Sequence, residues 1–386
     1  MKVAFLTADL REHYRSYEKP DPWFIQGSES LLQGFAGRTD IEVHVLSCTQ
    51  RPVAAPEKIA PNVWFHSLLV PKIGWLRTGY QGCIRAVRRK VRELKPDIVH
   101  GLGAERECAI CAALSGFPNI VTIHGNMDEI ARLFKARMGS FYWLAARLEN
   151  FTLRRTSGVL CNSIYTEGLV RPRTSKTWLM PHALRAKFFE PPPDSDPRPC
   201  VLLNAGVVSP RKQQLELLDV AAALHRQGLK FEFHFIGIIP PSEPYAEVFM
   251  ERIKSAEAKG YARYLGTLPE AELVAFFDSG AGLIHFPTEE AFGNVVGETL
   301  ARNLKFFGTR TGGILDITEG VPEAELFATD DWAGLTESLA RWIGQGHPRP
   351  KDAAAVMRRR YHPEVVAQRH LEIYHEVIEG VPKKGA

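Results

Sequence analysis

The chain is expected to be an α/β protein built from two Rossmann-like domains facing a central cleft, and three features of its 386 residues predict this. Short apolar runs alternate with segments of helical spacing through the first half; a proline-rich break follows; and the same alternation then restarts. Repeated strand–helix alternation indicates a parallel sheet with helices on both faces, so two such runs imply two sheets. The expected bounds are 1–188 for the first domain, 189–199 for a linker and 200–360 for the second domain.

In chain order, Lys2 to Ala8 reads as a strand, Gly27 to Phe35 as a helix and Glu42 to Ser47 as a strand. A helix over Ala86 to Leu94, a strand over Asp97 to His100 and a helix over Ala104 to Leu114 follow. Asn119 to Ile123 reads as a strand ending at His124-Gly125, then come a long helix from Tyr142 to Arg155 and a strand from Gly158 to Asn162. The run from Pro191 to Pro199 is too rich in proline for either element, because each proline lacks an N–H and has a fixed φ. Beyond it, strands are expected over Cys200 to Asn204, Phe231 to Ile236, Ala262 to Leu265 and Gly282 to Phe286. Helices are expected over Gln214 to Gln227, Ala246 to Ala258 and Glu270 to Ser279.

Composition narrows the function classes. With 45% apolar and 24% charged residues the chain can bury full cores, and no apolar run reaches the length of a membrane span. Met1-Lys2 leads directly into the first strand, so a cytoplasmic protein is expected, either free or peripheral to the inner face of a membrane. Six scattered cysteines, Cys108-Ala-Ile-Cys111 included, read as buried thiols, since no second pair completes a metal site. A net charge of +4 is too small to imply nucleic acid, yet Arg77, Arg85, Arg88, Arg89, Lys90 and Arg92 are clustered, as are Arg132, Lys135, Arg137 and Arg147. These are either solvated helix faces or a surface meeting anionic lipid. Trp75, Leu76 and Tyr80, and then Phe134, Phe141, Tyr142 and Trp143, would suit interfacial helices.

The most informative stretch runs from Ile284 to Asp316, IHFPTEEAFGNVVGETLARNLKFFGTRTGGILD. A short strand stops at Pro287, a loop carries Glu289 and Glu290, and Phe292-Gly293-Asn294 opens a helix that holds Glu298. The orphan N–H groups at Gly293 suit an anion or a hydroxyl-rich ligand, so two carboxylates and a positive helix end are expected to face one crevice.

The pattern Glu290-Ala-Phe-Gly-Asn-Val-Val-Gly-Glu298 resembles the signature of the retaining glycosyltransferases of family 4, which have the two-domain GT-B fold. Further motifs match in order: Pro96-Asp97-Ile98-Val99-His100, Thr122-Ile123-His124-Gly125, Asn204-Ala-Gly206 through Lys212, Leu265-Gly266-Thr267-Leu268 and Thr311-Gly312-Gly313. Tyr361-His362-Pro363 resembles the start of the family's final helix, so 361–386 is expected to cross back to the first domain. The chain departs from the pattern at Gln26, where a glycine is usual, at Val207, where an arginine is usual, and at Pro181-His182-Ala183, where a glycine closes the motif.

The resemblance implies sugar transfer from a nucleotide sugar, a UDP-sugar favoured, to a glycan, lipid-linked or small-molecule acceptor, as in polysaccharide or glycolipid synthesis. It implies front-face displacement, in which the acceptor attacks on the side from which the diphosphate leaves. Glu290, His124 and Lys212 are the expected catalytic residues: Glu290 and His124 on hydroxyls of the donor sugar, Lys212 on the diphosphate. Gly27, Arg211, Phe292, Gly293, Asn294 and Glu298 complete the donor site, with Glu298 on the ribose. His13, Tyr14, Tyr17 and Trp23, in a polar-aromatic loop, are the candidates for acceptor contact. No Asp-x-Asp pair stands at a strand end, so no metal or cofactor is expected. A GT-B protein with weakened turnover, acting as a sugar or nucleotide-binding module, is the alternative suggested by Val207 and His182-Ala183. A nicotinamide-dependent dehydrogenase is excluded because no Gly-x-Gly-x-x-Gly follows either first strand.

Overall fold

A computed structural model describes residues 1–191, 200–241, 243–322 and 324–380; most of the proline-rich run read as a linker, 192–199, lies outside the described residues. The chain divides into two compact units, Met1–Leu184 with the segment from Tyr361 onward, and Arg185–Arg360.

The first unit contains β1 (Lys2–Leu6), α1 (Leu10–Tyr14), α2 (Gln26–Phe35), β2 (Glu42–Thr49), β3 (Lys58–Ala60), β4 (Val63–Leu69), α3 (Gln81–Leu94), β5 (Ile98–Leu102), α4 (Glu107–Ala113), β6 (Asn119–Ile123), α5 (Met127–Leu133), α6 (Phe141–Leu153), β7 (Val159–Cys161), α7 (Ile164–Val170) and β8 (Thr177–Leu179). Its sheet has the order β3-β4-β2-β1-β5-β6-β7-β8, parallel except for β3 against β4. Central strands are buried throughout and mostly apolar, as burial on both faces favours. One face packs Phe5, Leu32 and Phe35 against Val366 and Tyr374, and the other packs Ala4 and Val99 against Val87, Cys108 and Leu153.

The second unit contains β9 (Val201–Ala205), α8 (Gln214–Arg226), β10 (Glu232–Ile236), α9 (Pro244–Ala258), β11 (Ala262–Tyr264), α10 (Glu270–Ser279), β12 (Gly282–His285), α11 (Asn294–Ala301), β13 (Lys305–Thr309), α12 (Ile314–Thr318), β14 (Ala324–Phe327) and α13 (Trp332–Gly344), and is followed by α14 (Ala353–Tyr361). Its sheet is parallel, in the order β11-β10-β9-β12-β13-β14. The last helix, α15 (Pro363–Glu379), belongs to the first unit and lies on α2. In each sheet the strand order reverses beside the first strand, between β1 and β5 and between β9 and β12. Open parallel sheets bind ligands at the strand carboxyl ends of such switch points.

Several elements differ from expectation. Strands β3, β4, β8, β13 and β14 and helices α1, α7, α12, α13 and α14 were not anticipated, and the helix expected from Ala86 begins at Gln81. Trp75 and Tyr80 are not interfacial: they are 8% and 4% exposed in the core under α3, and the Trp75 indole donates to the Val70 carbonyl at 3.1 Å. Phe134, Phe141 and Tyr142 are exposed, as an interfacial role requires. All six cysteines are free and buried. Among the described residues no helix is long and apolar enough to cross a membrane.

Candidate functional site

In the second unit the site grows from the carboxyl ends of β9 and β12. The buried Asn204 side chain of β9 donates to the Ile284 carbonyl at 2.8 Å, tying the two strands together. The loop that follows is held from three sides: Gln213 donates to the Phe286 carbonyl at 2.8 Å, Thr309 to the Pro287 carbonyl at 2.8 Å, and the Thr288 N–H to the Arg211 carbonyl at 2.9 Å. The Gly313 N–H reaches the Glu290 carbonyl at 3.0 Å, and Gly312 adopts φ +50° so close beneath that a Cβ there would stand 1.7 Å from the same oxygen. A glycine is therefore required for the Glu290 backbone to occupy this position.

So placed, the Glu290 carboxylate forms an ion pair with Lys212 Nζ and accepts from His285 Nε2 at 2.9 Å, while Lys212 Nζ and His285 Nε2 are 3.3 Å apart. All three side chains are largely buried. Burial alone would raise the Glu290 pKa, but the Lys212 charge and the two hydrogen bonds outweigh it and hold the carboxyl well below its usual range. Burial lowers Lys212, partly offset by Glu290. His285 is pulled down to about 4 by burial and then by the Lys212 charge, so it is neutral near pH 7. The cluster thus presents an ionised carboxylate, an ammonium and a neutral imidazole at one strand end. Chemically that set can grip a hydroxyl and an anionic oxygen side by side.

The other donor residues expected in the second unit are Arg211, on the loop before α8, and Phe292, Gly293, Asn294 and Glu298, at the start of α11 and within it. Arg211 turns to the Glu289 carbonyl at 2.7 Å and its carboxylate at 3.5 Å. Phe292 is buried, 3% exposed. Gly293, at φ +99°, begins α11 with no side-chain cap on the helix end. The Asn294 side-chain oxygen is buried without a hydrogen-bond partner among the described residues. Glu298, within α11, is 3% exposed and accepts from Arg185 at 2.7 Å, so its partner differs from those of Glu290.

In the first unit, His124 follows β6 and its Nδ1 lies 2.9 Å from His182 Nε2. Burial lowers the His124 pKa to about 4, so its ring is neutral near pH 7. Its Nε2 is buried with no hydrogen-bond partner among the described residues. Gly27, in the first turn of α2, packs against both rings: a Cβ there would meet His124 Cε1 at 3.5 Å and His182 at 3.6 Å. Glu105, after β5, accepts from the Gly125 N–H at 3.2 Å. His100 is satisfied on both nitrogens, by Tyr374 at 2.6 Å and Thr122 at 2.7 Å, and is structural.

The segment read as a polar-aromatic loop contains a helical turn, α1, because Asp9 caps it and pairs with the fully buried Arg11 at 2.7 Å. His13, Tyr14 and Trp23 form a chain of edge-to-face rings with centroids 4.7 and 5.9 Å apart. Tyr17 instead donates to Glu12 at 3.0 Å. Sequence reasoning missed His285, His182, Glu105 and Arg185. His285 stood at the strand end inside the most informative stretch, and His182 inside a recognised departure from the family pattern. Arg185 carried no signal.

Two family models match the chain: Glycosyltransferase Family 4 over residues 29–175 and Glycosyl transferases group 1 over residues 187–358. No curated protein sequence matches it. Among solved structures, sucrose-phosphate synthase from Thermosynechococcus elongatus is similar with a TM-score of 0.73 at 14% identity, covering 99% of this chain and 100% of that one. HepE of Anabaena, solved with UDP-glucose, gives 0.70 at 13% identity, covering 97% and 100%. The lipopolysaccharide outer core galactosyltransferase WaaB gives 0.68 at 14%, again covering 97% and 100%. At such identities the likeness shows the fold, GT-B with two Rossmann-like units, while the family models reach the chemistry. The chain belongs to glycosyltransferase family 4 and is a glycosyltransferase that takes its sugar from a nucleotide-sugar donor.

Proposed function

We propose that the enzyme transfers a sugar from a UDP-sugar, with retention of anomeric configuration, to a lipid-linked or glycan acceptor. The observation that carries this reading is the buried cluster of Lys212, Glu290 and His285 at the end of β12. Lys212 meets the leaving diphosphate, where an enclosed cation stabilises developing charge most effectively. Arg211 leaves Glu289 to add a second charge. Glu290 accepts from a hydroxyl of the donor sugar, Glu298 held by Arg185 accepts from the ribose, and the N–H groups at the start of α11 complete the donor site. In the first unit His124, kept neutral by burial and oriented by His182, hydrogen-bonds the transferred sugar. The acceptor hydroxyl attacks from the side on which the diphosphate leaves, and its proton passes to the departing phosphate oxygen. No metal is needed, because Lys212 supplies the charge.

UDP is favoured as the nucleotide because HepE, of the same fold, was solved with UDP-glucose. A lipid-linked acceptor is supported by the α5–α6 connection: Phe134, Met138, Phe141 and Tyr142 are 65%, 84%, 47% and 39% exposed there, among exposed Arg132, Lys135 and Arg137. Cations around protruding rings suit an anionic membrane surface. A thermal-shift panel of UDP-, GDP- and ADP-sugars, each with and without chelator, tests the reading. Stabilisation by a UDP-sugar regardless of chelator is expected, and no response to any nucleotide sugar would refute it.

A further inference from the structure

Glu105 has no assigned role, yet it sits among the groups that face the first unit's candidate site. It follows β5 by three residues, at the switch-point side of the sheet where β1 and β5 are neighbours. Its Oε1 takes the Gly125 N–H, directly after His124. Its Oε2 occupies space that any side chain at position 103 would fill: Gly103 adopts φ +83°, and a Cβ there would lie 2.3 Å from Oε2 and 3.2 Å from His124 Cδ2. The strand end is therefore shaped to lay a carboxylate beside the His124 ring.

What surrounds that carboxylate is unusual. Enclosed carboxylates are normally paired with Lys or Arg. Among the described residues Glu105 makes no ion pair, and its only hydrogen-bond donors are backbone N–H groups, its own and that of Gly125. Its histidine neighbour is neutral. Burial accordingly raises its pKa. A carboxylate in this position still has lone pairs to satisfy, and neutral O–H donors satisfy them without adding a charge. On the same side the buried Nε2 of His124 is without a partner among the described residues.

We propose that Glu105 is a sugar-binding residue: its carboxylate accepts a hydrogen bond from a hydroxyl of the donor sugar next to the one held by His124. The inference rests on the nucleotide-sugar reading above. Glu105 and His124 together then select for two adjacent hydroxyls of the transferred sugar. The first unit thereby adds its own reading of the sugar to the contact assigned to Glu290.

Glu105→Gln tests this with little change of shape. The amide oxygen can keep the Gly125 bond, while an NH2 group replaces the acceptor oxygen offered to the sugar. Titration calorimetry on the full chain compares wild type and variant, using the UDP-sugar that stabilises most in the thermal-shift panel and bare UDP. Affinity for UDP should be unchanged, and affinity for the UDP-sugar should fall roughly ten- to hundredfold, as expected for loss of a charge-assisted hydrogen bond. Equal affinity of both proteins for the UDP-sugar would overturn the role of Glu105 and leave the donor reading intact. A variant that loses UDP as well would show Glu105 to be structural, which also overturns it. A wild type that binds no member of the panel would overturn the donor reading first.

Discussion

Lys212, His285 and Glu290 matter because their charges are enclosed and mutually dependent. Removing Lys212 leaves an uncompensated carboxylate in the site and takes away the cation assigned to the diphosphate. Loss of one such donor costs about 3 kcal/mol, so Lys212→Ala should lower turnover on the order of a hundredfold or more. The histidines make a separate prediction about pH. His124, His285 and His370 are each held near 4, with burial the main cause, against about 6.5 when unfolded. The unfolded chain therefore takes up protons first, and stability from these three is present above pH 6.5 and lost as pH falls toward 4. Glu105, Glu107 and Glu149, raised by burial, act in the opposite sense. Urea midpoints at pH 7, 5.5 and 4.5 should fall steadily; a flat series would refute neutral burial of these rings. At this scale Glu290 and Lys212 were legible from a motif. His285, His182 and Glu105 were not, because their meaning lies in contacts 5, 58 and 20 positions away in the chain.

At the scale of elements, α2 and α15 show how a single missing Cβ positions a helix. Gly34 stands inside α2, where glycine ordinarily weakens a helix by about 1 kcal/mol relative to alanine. It is tolerated because a Cβ at that place would lie 2.2 Å from the Pro363 carbonyl oxygen at the start of α15. Gly34→Ala should force the helices apart and cost about 1–3 kcal/mol, while Gly168→Ala in α7, with nothing within 4 Å, should be neutral or stabilising. Equal effects in denaturant titrations would contradict the packing described. The alternation of long apolar strands with helices was readable because both faces of each sheet are buried. Strand β8 has three residues, too few for a period to show, and only alternation with neighbouring helices made the equally short β7 and β11 readable. Helix α1 was missed because its five residues depend on the buried Asp9–Arg11 pair, a tertiary contact that no propensity announces.

At the scale of the whole molecule, a net charge of +4 understates a strongly uneven distribution. The cations around Phe134, Met138, Phe141 and Tyr142 should give co-sedimentation with vesicles containing phosphatidylserine, at about 1 kcal/mol per basic residue near the surface, and none with neutral vesicles. Phe134→Ser with Met138→Ser should abolish it without loss of thermal stability; binding that survives would place the membrane contact elsewhere. Two Rossmann-like units were evident from the order of elements alone, whereas the acceptor was not, since nothing in a strand–helix pattern records what an exposed surface meets. The reaction itself is tested most directly by proton NMR of UDP-sugar turnover, slow donor hydrolysis included, with wild type and Lys212→Ala side by side. Wild type should release first the sugar anomer present in the donor, and the variant should be slower on the order of a hundredfold. Release of the inverted anomer, or equal rates in the two proteins, would contradict retaining transfer at the Lys212–Glu290 site.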